Sequence, residues 1–140
     1  MAMPKTTPPI LLVVSLLVLV ACGGGGAAGG DVASGQKIFS GTTPIARGNA
    51  PACITCHAVE PGQQRGSGQN LSNIGYRAGI TVPGQSAEEY IRTSIVDPDA
   101  YLAGGYQEGI MYRGYGRDLT RQQIADLVAY LLTLKSGQDN

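Results

Sequence analysis

An all-α fold of three to five short helices, rich in loops, is predicted by three observations on the 140-residue chain. Ser86-Ala87-Glu88-Glu89 and Thr120-Arg121-Gln122-Gln123 are both capping boxes, an N-cap hydroxyl followed three residues later by Glu or Gln, and each opens a run with helical apolar spacing. No stretch alternates apolar and polar residues long enough to make a strand, and there is no internal repeat. With 21 Gly, 8 Pro and one Phe, the chain has little aromatic bulk of its own, so a large bound group is expected to complete its core. The length suits one domain plus something small. Ten Lys plus Arg balance ten Asp plus Glu, which excludes the basic footprint of a nucleic-acid binder and gives no long-range steering toward partners.

Residues 1–9 carry one charge, Lys5, and an apolar run from Ile10 to Ala21 follows, interrupted only by Ser15. A relaxed membrane-spanning helix needs about 20 residues, so this run reads as the core of a signal peptide covering residues 1–21. Leu19-Val20-Ala21-Cys22 resembles the lipobox of bacterial lipoproteins, in which the Cys takes a diacylglycerol thioether and becomes the new N-terminus. The alternatives are a secretory signal cut near Ala27-Ala28 and an uncleaved anchor. Gly23 to Gly30 is Gly and Ala only, so residues 22–31 read as a lipidated Cys and a flexible tether. Eight such residues have an end-to-end distance of about 15 Å and a stretched limit of roughly 28 Å.

The folded domain is expected over residues 32–136, with a short tail at 137–140. Val32 to Ser40 suits a short helix ended by Gly41, and Pro44, Gly48-Asn49 and Pro51 predict a loop from Thr42 to Ala52. Cys53 to His57 is expected on one helical turn, Glu60 to Ser67 as loop, and Leu71 and Ile74 on a further short turn. The first capping box predicts a helix from Ala87 to Val96 with Tyr90, Ile91 and Ile95 inward, stopped by Asp97-Pro98. Asp99 to Asp118 has five Gly and four Tyr and no helical period, and is expected to be an ordered loop. The second box opens the strongest helix, Arg121 to Leu134, with Ile124, Leu127, Val128, Leu131 and Leu134 on one face and Gly137 as its stop.

Cys53-Ile54-Thr55-Cys56-His57 spells C-x-x-C-H, the attachment signature of a c-type haem. Two thiols at that spacing add to the two vinyl groups of one porphyrin, and the adjacent His is then held beneath the iron. A zinc site would want four Cys or His ligands, whereas the chain has three Cys and one His spread over residues 22 to 57. A thioredoxin-like pair is expected near a βαβ pattern, which is absent. With Cys53 and Cys56 on haem and Cys22 on lipid, no thiol remains for a disulfide.

His57 is the only histidine, so a second axial ligand must be of another type. Met1 and Met3 fall in the signal segment, which leaves Met111 as the candidate; the alternative is that Met111 fills the core. Met/His ligation raises the potential relative to two nitrogens.

This ordering resembles a class I, single-haem cytochrome c over about residues 32 to 135. In that family an N-terminal helix carries a Gly and an aromatic, matched here by Gly35 and Phe39. C-x-x-C-H follows, then a Met loop, then a C-terminal helix that crosses the first, matched by Tyr130-Leu131. The resemblance implies the cytochrome c fold, with short helices wrapped around one covalent haem. Where the family often has G-P-N-L this chain has Gly68-Gln69-Asn70-Leu71, so the Gln69 carbonyl would accept the His57 Nδ1 hydrogen. Tyr112 stands where many members have Pro, and hydrogen bonding by Tyr112 or Tyr115 would compensate. Leu71, Tyr76, Arg77 and Arg113 are expected around the haem, Arg77 being the first choice for its propionates and a solvated surface Arg the alternative.

The resemblance implies an electron-transfer protein and not an enzyme: a one-electron carrier of a respiratory or photosynthetic chain, which the lipobox-like run would hold on the extracytoplasmic or periplasmic face of the cell membrane through Cys22. The Met loop and the C-terminal run also resemble single-haem subunits of quinol-oxidising alternative complex III and the cytochrome domains of haem-copper terminal oxidases. Those complexes, or a photosynthetic reaction centre, are the implied partners. The rival class is a five-coordinate haem enzyme or gas sensor, in which Met111 leaves the iron open; a third reading is a purely structural subunit.

Overall fold

The computed structural model describes residue 1 and residues 29–136. The signal segment, Cys22, most of the Gly/Ala tether and Gly137 lie outside the described residues. Among the described residues five helices are formed: α1 (Val32–Ser40), α2 (Ile74–Thr81), α3 (Ala87–Val96), α4 (Tyr115–Asp118) and α5 (Arg121–Leu132). A 3₁₀ turn covers Cys53–Thr55. Among the described residues no strand forms, and only an isolated bridge pairs Arg65 with Gly68. No helix among them is long and apolar enough to cross a membrane.

Local chemistry sets the helix ends. Asp31 caps α1 by accepting from the Ser34 amide at 2.7 Å, and Gly41 closes it in the left-handed region at φ 80°. Both capping boxes form with both of their reciprocal bonds, at Ser86 with Glu89 and at Thr120 with Gln123. Glu89's carboxyl is held below its ordinary range by its hydrogen bonds to the Ser86 amide and hydroxyl.

The core is organised by α1 crossing α5. A Cβ on Gly35 would lie 2.0 Å from the Asp126 carbonyl oxygen, and one on Gly30 would lie 2.1 Å from that of Ala125. Only glycine lets the two backbones approach so closely. Phe39 then stacks on Tyr130 with ring centroids 5.5 Å apart, and Phe39, Leu127 and Val128 are fully buried. The buried Asp126 carboxylate closes the crossing by accepting from the Asp31 amide and from Gln122 Nε2, each at 2.8 Å.

Three expectations are corrected. Residues 74–81 form a full helix rather than one turn, because Gly75 packs on the backbone of α5, where a Cβ would meet the Leu132 carbonyl oxygen at 2.3 Å. The stretch expected to be entirely loop up to Asp118 ends in the one-turn α4. And α5 stops at Leu132, not Leu134, since the Thr133 and Leu134 amides bond three residues back to Tyr130 and Leu131. The freed Leu134 carbonyl accepts from the Gly75 amide at 2.8 Å, so the end of α5 holds the start of α2.

Candidate haem and axial-ligand site

Between the helices lies a cavity of about 730 Å³, within the range of cofactor sites. One wall carries Cys53, Cys56 and His57, and the connection between α3 and α4 brings Met111 to the same cavity. Phe39, Ile91 and Leu127 are among its apolar lining.

The His57 wall is built by backbone. Amides of Thr55, Cys56 and His57 bond back to Ala52 and Cys53, which winds the motif into one turn. The segment after it folds underneath: the Gly68 amide donates to the Cys56 carbonyl at 3.0 Å and the Leu71 amide to that of Ala58 at 2.8 Å. A Cβ at Gly68 would stand 2.4 Å from the Cys56 carbonyl oxygen and 2.8 Å from His57 Nδ1. Its absence lets the next carbonyl, that of Gln69, reach His57 Nδ1 at 2.8 Å. A carbonyl only accepts, so Nδ1 carries the hydrogen and Nε2 keeps a free lone pair. Burial lowers the His57 pKa and so favours the neutral ring, with the Gln69 hydrogen bond acting in the opposite direction. Burial also pushes the Cys53 thiol up to about 11.

The segment around Met111 is braced by tyrosines. Tyr115, buried and with its hydroxyl pKa raised chiefly by that burial, donates to the Pro51 carbonyl at 2.7 Å. Tyr112 stacks edge-on against it with centroids 5.2 Å apart and donates to Asp118 Oδ2 at 2.6 Å. Arg117 reaches both, Nε to Asp118 Oδ1 at 2.8 Å and a terminal nitrogen to the Tyr112 oxygen at 3.1 Å. These bonds tie down the residue that follows Met111 without a proline there.

Of the residues predicted around the cofactor, Gln69, Leu71 and Arg113 line the cavity and Tyr76 and Arg77 do not. α2 turns Tyr76 outward, 46 % exposed. Arg77 instead donates to the Asn70 carbonyl at 3.2 Å, and Asn70 Nδ2 reaches the Glu60 and Gln63 carbonyls at 2.7 Å each. Arg77 thus supports the loop below His57. Arg113 has its guanidinium engaged by Asp99 and Glu108. Sequence reasoning missed Asp99 and Asp118, whose partners lie in the loop or on the cavity wall and leave no periodic signal.

Asp118 is 2 % exposed, and its carboxyl is held below the ordinary 3.8 chiefly by its hydrogen bonds from Arg117 and Tyr112. A depressed folded-state pKa means that its stabilisation is present above the ordinary value and is lost as pH falls through the depressed one. Urea midpoints measured from neutrality down to about pH 2 should therefore fall more steeply for the native protein than for Asp118→Asn. Parallel curves would show that this carboxylate adds no pH dependence.

Two thiols on one turn, a neutral imidazole beside them and an apolar cavity large enough for a macrocycle define a protein that carries a covalently held haem. The cytochrome c family model matches residues 32–135, and this chain belongs to that family. Its cofactor is haem c, for which Cys53 and Cys56 supply the attachment motif, and its class is that of electron-transfer proteins. One similar solved structure is the crystal structure of SoxXA from P. pantotrophus, 22% identical with a TM-score of 0.43 over 78% of this chain and 85% of that one. No curated protein matches the chain in sequence.

Proposed function

We propose that the protein is a membrane-tethered, single-haem, one-electron carrier with His57 and Met111 as axial ligands and Cys22 as its lipid anchor. The observation that carries this reading is that His57, with Nε2 free, and Met111 both line the one cavity that also holds the two attachment thiols. When bound, the haem supplies the one-electron couple of its iron. His57, oriented by Gln69, would hold the iron through Nε2, and the thioether of Met111 would be the second ligand and favour the reduced state. With both residues so engaged, no position would be left for a substrate. Apolar side chains form most of the cavity lining, and Tyr112 and Tyr115 brace the Met111 segment.

A lipid at Cys22 and a Gly/Ala leash would hold the domain close to the extracytoplasmic face of the cell membrane and raise its effective concentration near membrane complexes. The partner class is a quinol-oxidising complex, with alternative complex III as the specific proposal, in a respiratory or photosynthetic chain.

Met111→Ala is expected to lower the potential, abolish the charge-transfer absorption of sulfur-ligated ferric haem and let the ferrous protein bind carbon monoxide. Native ferrous protein that takes up carbon monoxide readily at neutral pH would instead support the five-coordinate enzyme or sensor. Intact mass of the mature protein tests the anchor: a mass without lipid, or Cys22→Ser protein that stays with membranes, counts against it.

A further inference from the structure

The connection between α3 and α4 runs from Asp97 to Gly114. Connections longer than about 15 residues without regular structure are uncommon in compact domains and need something to order them. Near its end the chain passes from Gly109, at φ 77°, through Ile110, Met111 and Tyr112 to Arg113. Met111 stands midway between Gly109 and Arg113.

One carboxylate ties both ends of that arch. Asp99 Oδ1 accepts from the Gly109 amide at 2.9 Å, and Asp99 Oδ2 accepts from Arg113 Nε. Arg113 is steadied from its other side by Glu108 Oε1 at 2.8 Å. Asp99, Gly109, Met111 and Arg113 all line the cavity, and the Asp99 side chain is only 17% exposed while that of Arg113 is 57% exposed. A rim ion pair adds little to global stability. Its geometry matters here because the two bonds land two residues before and two residues after Met111, and so limit how far the thioether can swing out of the cavity.

We propose that Asp99 is a positioning residue for Met111, clamping the Gly109–Arg113 arch so that the thioether stays over the cavity. This rests on the reading of Met111 as second axial ligand. It also gives Arg113 a structural task in place of the propionate contact expected from the sequence. Loss of the clamp raises the fraction of time that Met111 is away from the iron, and an added ligand enters in proportion to that fraction.

The test uses the ferric holoprotein and imidazole as probe, following the loss of the sulfur-to-iron charge-transfer absorption. Asp99→Ala is expected to take up imidazole about tenfold faster than native protein, equivalent to about 1.4 kcal/mol in the open fraction. Asp99→Asn should fall between the two, because the amide oxygen still accepts from Gly109 but has no charge for Arg113. The double variant Asp99→Ala/Arg113→Ala should be no faster than Asp99→Ala alone, as for two members of one device. Guanidinium unfolding midpoints, measured alongside, should change far less than the uptake rates. If Met111→Ala is fast while both Asp99 variants stay within about twofold of native protein, the clamp is wrong and the ligand right. If Met111→Ala itself matches native protein, Met111 is not the ligand and both fall. Uptake that rises only in step with global unfolding would also overturn the clamp, reducing Asp99 to a general stability contact.

Discussion

Replacing Cys53 and Cys56 together by serine is expected to abolish covalent haem and, with it, the folded domain. The cavity that the two thiols open into measures about 730 Å³, and at about 24 cal/mol per Å³ a fully enclosed void of that size would cost on the order of 17 kcal/mol. A whole domain is stable by about 5–15 kcal/mol. The cavity has a mouth and its walls can close in, so the actual cost is a fraction of that sum. A modest fraction is enough to unfold a core whose largest fully buried side chains are Phe39, Leu127 and Val128. Each single serine variant keeps one thioether and should keep the fold. Haem staining after denaturing electrophoresis reads attachment, and far-ultraviolet circular dichroism reads helix content. A double variant with native helix content and a cooperative thermal transition would show that the helices hold without the cofactor.

The next largest effect is expected at the helix crossing. In Gly35→Ala the new Cβ would fall 2.0 Å from the Asp126 carbonyl oxygen and 2.8 Å from Tyr130 Cβ. The first neighbour is backbone, so relief requires α1 and α5 to move apart. Overpacking of this kind costs about 1–3 kcal/mol, sometimes more, against a gain in helix propensity of at most about 1 kcal/mol. A larger residue such as Leu deepens the clash. A loss of about 1 kcal/mol lowers the melting temperature of a domain this size by about 4–8 °C. Gly79→Ala is the informative control: it is also helical, but its Cβ would meet only Ala87 Cβ at 3.7 Å, so a small stabilisation is expected. Equal melting temperatures for the two alanine variants would contradict the close crossing.

Much of this fold was legible wherever local chemistry and burial agree. Val32–Ser40 ends at Gly41 and Ala87–Val96 opens at its capping box as the sequence predicts, because Gly41, Ser86 and Glu89 act within their own turns, as does the Asp31 cap that the structure adds. α2 was not legible for the opposite reason. Its N-cap, Asn73, makes no side-chain cap bond, and Asn73 Oδ1 is buried without a hydrogen-bond partner. Gly75 and Gly79 weaken helix propensity. What holds the helix is packing against α3 and against the end of α5, the latter more than fifty positions away in sequence. The candidate site divides in the same way. The C-x-x-C-H motif and the scarcity of histidine and methionine are counts along the chain, and they singled out residues that line one cavity. The bracing of that cavity by Tyr112 with Asp118, by Tyr115 with Pro51 and by Asp99 with Gly109 depends on side chains meeting across loops. Arg77 shows the same limit: a cation near the cofactor segment could be named, but not that α2 would direct it to the Asn70 carbonyl.

The crossing of α1 and α5 also governs the order in which the molecule can assemble. The bond from the Asp31 amide to Asp126 Oδ1 joins residues 95 positions apart, and the closure entropy of so long a segment must be met before the contact stabilises anything. α1 finds its partner surface only when α5, from the far end of the domain, comes back to it. By contrast, α2 and α3 are neighbours in both sequence and space, so they can pair without waiting for so long a closure. The crossing is therefore expected to close late in folding, and until it closes Cys53 and Cys56 remain accessible for haem attachment.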